Sequence, residues 1–83
     1  SNGDRLNDNF KISYSGIAYG TYSIYSRWGN KVFESQNIGD EWNAKQNDGY
    51  PIPEGVYVVY IKAIGLDGKA YTFESTLTVL KWY

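Results

Sequence analysis

Asn2, Asp4, Asn7 and Asp8 crowd side-chain oxygens into the start of the chain. Hard cations such as calcium take oxygen ligands from closely spaced Asp and Asn in loops. The run lacks the glutamate that closes a complete EF-hand loop. Asx residues also form turns, because their side chains hydrogen-bond nearby backbone. The turn reading is preferred, which leaves these residues as weak calcium candidates with no metal or cofactor expected. Asp40, Glu41, Asp48 and Glu54 are scattered acids. A glycosidase needs paired carboxyls held across a cleft, and 83 residues leave little room for one. The chain has no His and no Cys, so the usual nucleophile and base pairs are absent. It is therefore expected not to be an enzyme. Trp42, Tyr50, Trp82 and Tyr83 would suit a platform for sugar. The preferred alternative puts Trp42 in the core and Trp82-Tyr83 over its end, because aromatic residues dominate small cores.

Arg27-Trp28-Gly29-Asn30 offers a guanidinium beside a large ring, an arrangement that can cap a core or meet a partner. On spacing alone the hairpin reading is preferred to a binding site. The block joins two short strands, Tyr22 to Arg27 and Lys31 to Ser35, with Ile24 and Val32 offering apolar surface from either arm. Gly29-Asn30 suits a two-residue loop, since Gly takes positive φ without a Cβ clash and Asn tolerates it. Phe10, Ile12 and Tyr14 alternate with polar residues, which is strand periodicity. Ser15 to Gly20 is expected as a loop. Gln36 to Gly49 is the least regular stretch, with a short strand around Trp42 left open. Pro51 and Pro53 exclude a helix or central strand there. Val56 to Ala63 is the strongest strand, being dominated by Val, Ile and Tyr. Asp67-Gly68 marks a second tight turn. Ala70 to Leu80 then alternates, with Tyr71, Phe73, Ser75, Leu77 and Val79 on the face expected to meet the core.

No window shows helical spacing. Short strands with frequent turn signals predict an all-β, immunoglobulin-like sandwich of two antiparallel sheets with about seven strands. The length allows one domain, residues 1–83. Hydrophobic residues make up 42%, enough for a packed core. A net charge of -1 argues against nucleic acid. The longest apolar run, Val56 to Ile61, is far too short to span a bilayer, so no direct membrane insertion is expected. The abrupt start at Ser1 suggests an excised fragment of something longer.

Taken together, the segments resemble the type B C-terminal sorting domain of type IX secretion cargo, also called the gliding-motility-associated C-terminal domain. Asn2-Gly3-Asp4-Arg5-Leu6-Asn7-Asp8 with Phe10 is similar to the family's opening run, with Arg5 in place of a Gly. Ile24 to Glu34 resembles the family hallmark, with Ser26 where Asn is usual. Trp42-Asn43-Ala44 is similar to a Trp-x-Gly element, and Pro53 to Tyr57 to a Pro-x-Gly-Thr-Tyr strand start. Glu74 to Lys81 resembles the closing strand. The resemblance implies a non-catalytic domain at the end of a large secreted or surface protein of Bacteroidota. It would direct that cargo from the periplasm through an outer-membrane translocon. The partner implied is the type IX secretion machinery at the outer membrane. Arg27, Trp28, Gly29 and Asn30 are the first candidates for the recognised element. Leu80 and Lys81 are the second, since family signals lie at the chain end. The alternative is an extracellular module that binds carbohydrate or protein.

Overall fold

The computed structural model describes residues 10–43, 45–46, 49 and 51–80. Its regular elements are β1 (Ile17–Ser26), β2 (Lys31–Ser35), β3 (Gly55–Gly65) and β4 (Ala70–Val79). They form one antiparallel sheet in the order β2-β1-β3-β4, and no helix occurs among the described residues. The long strands coincide with the stretches richest in Tyr, Val, Ile and Thr, side chains that pack well on a pleated surface.

Irregular chain covers one face of this sheet, in the place where the expected sandwich has its second sheet. Phe10 to Tyr14 contributes only a single bridge, Phe10 to Trp42, and a second bridge joins Lys45 to Pro51. Of the alternating residues, Phe10 and Ile12 pack half-buried against the core while Tyr14 is 48% exposed, so the periodicity marks partial burial without a ladder. Pro51 and Pro53 cannot donate to a ladder, which keeps the covering segment irregular. A further correction concerns Ser15 to Gly20, where β1 already begins at Ile17.

The core lies between sheet and cover. Tyr22, Ile24, Tyr57, Val59 and Val79 come from the sheet, and Trp42 and Ile52 from the cover. Trp42 is only 1% exposed, as the core reading expects. Its ring lies 5.8 Å from Phe33 and 6.4 Å from Tyr57. Its indole N–H donates to the Lys45 carbonyl at 2.7 Å, so burying the ring strands no donor. The sugar platform loses Trp42 by this burial, while Tyr50, Trp82 and Tyr83 lie outside the described residues.

The cover does not reach the whole face. On β4, Val79 is buried and Leu77 half-buried, but Tyr71 and Phe73 are 38% and 50% exposed. The expectation that all of this face meets the core is thus corrected. Alternation sets which side a residue is on, and the extent of the covering chain sets whether it is buried.

Tyr22 ties the two layers together. Its hydroxyl donates to the Asp40 carbonyl at 2.8 Å, and burial, with the nearby Asp40 charge, pushes its pKa from 10.0 to about 12. An unfolded chain ionises this tyrosine at the lower value. The folded state therefore holds its advantage below the lower value and loses it as pH rises through the higher one. Thermal melts should show stability falling between pH about 10 and about 12. Tyr22→Phe should shallow that fall, and an unchanged slope in the variant would assign the loss to other groups.

Candidate recognition site

The β1–β2 connection is a three-residue loop, Arg27-Trp28-Gly29, closed by Ser26 and Asn30. The Ser26 N–H donates to the Asn30 carbonyl at 2.8 Å, and the Gly29 N–H to the Ser26 carbonyl at 3.0 Å. This corrects the two-residue loop expected at Gly29-Asn30. Gly29 stands third, at φ 90°. A residue in that left-handed region ends three-residue hairpin loops and leads into a bulge. A separate irregularity lies further along the pair, at Val32, since Ile24 pairs with Phe33 but Tyr25 with Lys31. Ser26 Oγ accepts from the N–H groups of Trp28 and Asn30, both at 3.2 Å. Its side chain therefore holds the loop from inside, as an Asn oxygen in that place would.

Side chains on this loop turn outward. Trp28 is 77% exposed. The Arg27 guanidinium carbon lies 4.7 Å from the centre of the Trp28 ring, a cation–π contact. Together they border a shallow groove of about 470 Å³ whose opposite wall is Pro53, Glu54, Gly55 and Val56. That wall is fixed from below. The Tyr57 ring is buried, and its hydroxyl donates to the Pro53 carbonyl at 2.7 Å. Burial pushes the Tyr57 pKa up, so the hydroxyl stays a donor at neutral pH. Lys31 also lines the groove and pairs with Glu34 at 2.8 Å. This hydrogen bond and the opposite charge raise the lysine pKa and lower that of the glutamate.

Gly55 pairs with Val79 at the same end of the sheet. Leu80 follows immediately and is 41% exposed. The fold therefore gathers Arg27 to Asn30, the Pro53 to Val56 wall and Leu80 at one end. Lys81 lies outside the described residues, as do the calcium candidates Asn2, Asp4, Asn7 and Asp8. Among the described residues, no group of three or more His, Cys, Asp or Glu is placed to hold a metal. Sequence reasoning missed the part played by Pro53 to Val56. The turn signal at Pro53 and Gly55 was legible, but the partner across the groove depends on the pairing of β1 with β3. A stacked Arg–Trp pair on a braced turn suits contact with another macromolecule, since Trp and Arg carry much of the energy at protein interfaces.

The family model described as CHU_C, type IX secretion signal domain, matches residues 1–79. No curated protein matches the chain. Among solved structures, CopC from Methylosinus trichosporium OB3b is similar at 22% identity and a TM-score of 0.56, over 82% of this chain and 72% of that one. At that identity the likeness concerns the fold alone.

Proposed function

Because the chain belongs to the CHU_C type IX secretion signal domain family, a family of secretion-targeting modules, we propose that it is the C-terminal sorting domain of a larger cargo protein. It acts without catalysis, by being recognised. The cargo passes from the periplasm through an outer-membrane translocon of the type IX machinery and reaches the cell surface or the medium. The family match carries this reading. The exposed Arg27–Trp28 pair on its braced loop supports it, because a recognised signal needs a rigid and accessible feature.

A folded reporter with a periplasmic leader and this chain at its C-terminus tests the reading in a bacterium that has the type IX system. The reporter should reach the surface or medium, and should stay in the periplasm when the chain is deleted or the system is disabled. Equal export with and without the chain would refute the proposal.

A further inference from the structure

The two edges of the sheet differ. β2 is five residues long, borders a bulge and carries the Lys31–Glu34 ion pair. Short, kinked, charged edges resist pairing with other chains. β4 is ten residues long and pairs with β3 without any register shift. Between Tyr71 and Val79 it contains no Pro and no Lys, and Glu74 is its one charge. Among the described residues no strand pairs with its outer edge. Beside that edge lie Tyr71 and Phe73, stacked at 6.3 Å with an interplanar angle of 13°, both left uncovered on the core side.

The order of residues in β4 is self-complementary. Ser75 is its centre, with apolar residues at 71, 73, 77 and 79 and threonines at 72 and 78. We infer that β4 is a homodimerisation edge, pairing antiparallel with β4 of a second copy about a two-fold axis at Ser75. Each residue then faces the one whose number completes a sum of 150. Tyr71 stands opposite Val79 and Phe73 opposite Leu77, so the exposed Phe73 ring of each copy meets the half-buried Leu77 of the other, while Val79 is already buried within its own copy. Thr72 faces Thr78, and Glu74 faces Thr76, whose hydroxyl can donate to the carboxylate. The register one step back is centred on Glu74 and sets two carboxylates opposite each other, which is unfavourable. The register one step on is centred on Thr76 and sets Ser75 against Leu77, leaving Tyr71 without an aliphatic partner within the strand. The interface is isologous, as two-fold contacts are. It is about 30 Å long at roughly 3.4 Å per residue, which places it among small, reversible contacts. The inference is independent of the sorting proposal.

Sedimentation of the 83-residue chain up to about 1 mM, a range that reveals weak contacts, should show a monomer–dimer equilibrium. Ser75 is exposed, so Ser75→Lys and Ser75→Glu are expected to melt near the parent temperature. Each sets like charges against each other on the axis and should weaken the dimer on the order of fivefold or more. An equimolar mixture of the two should restore association as the mixed dimer. A monomer throughout would overturn the inference, because no copy then seats on the edge. So would a dimer indifferent to charge at position 75, or a mixture no better than the separate variants.

Discussion

Trp42→Ala should lower the melting temperature more than any other single truncation in this domain. The ring is 1% exposed and sits against Phe33 and Tyr57. Its backbone also exchanges hydrogen bonds with Phe10 at 2.7 and 2.8 Å, so the same residue fastens two parts of the cover. Truncating a buried Trp typically costs about 3–5 kcal/mol. At roughly 0.05–0.15 kcal/mol per residue, a chain of this length has about 4–12 kcal/mol in total. The variant therefore loses a large share of its stability, and a fall on the order of 15 °C or more is expected in a thermal melt. Trp42→Phe keeps a ring but abandons the bond to the Lys45 carbonyl, and should fall between the two. A drop under about 5 °C for Trp42→Ala, little more than about 1 kcal/mol for a domain of this size, would remove Trp42 from the centre of the core.

That role is legible in the sequence, because a small chain has few other residues large enough to fill its middle. The strands β3 and β4 were legible for a related reason. β-branched and aromatic residues crowd both, and the Asp67-Gly68 signal lies between them. The start of β1 was hidden by two glycines. Gly20 looked like a loop residue, yet it stands inside β1 opposite Ala63. A Cβ there would come within 2.8 Å of the Lys62 carbonyl and 3.1 Å of the Ala63 Cβ. The position excludes a side chain because of its neighbour strand, and no local pattern carries that information. The three-residue loop was hidden in the same way. Gly29 needs positive φ in either hairpin, and only the bond from the Ser26 N–H to Asn30 decides the loop length. The uncovered half of β4 is a third case, since its alternation is the same on both sides of Ser75 and only the cover distinguishes them. At the candidate site, the spacing of Arg27 and Trp28 favoured a plain hairpin, and the family resemblance made them candidates for recognition. Their groove could not be read, because its far wall comes from Pro53 to Val56, distant in sequence.

Arg27→Glu should leave the domain folded and strongly impair export of a fused reporter. Arg27 is exposed, and among the described residues its defined contact is the stack on Trp28 at 4.7 Å. An exposed cation–π pair contributes only about 0.5–1 kcal/mol, so the melting temperature should fall by a few degrees at most. Recognition responds differently to the change. Reversing a charge at a contact replaces attraction by repulsion and leaves a partner group unpaired. Interface hot spots cost about 2 kcal/mol or more when lost, which is roughly a thirtyfold loss of affinity. Trp28→Ala removes the other member of the pair and should impair export comparably. Lys62→Glu is the matched control. Lys62 pairs with Thr21 and Thr72, away from the loop, and its reversal should leave export intact. The two readouts are the melting temperature of the purified domain and the fraction of reporter outside the cell. Loss of both for Arg27→Glu would make the arginine a structural residue of the hairpin. Normal export with a normal melting temperature would take the Arg27–Trp28 groove out of the signal. Recognition would then pass to Leu80, exposed just after β4 at that end of the sheet, and to Lys81, the other candidate from the sequence.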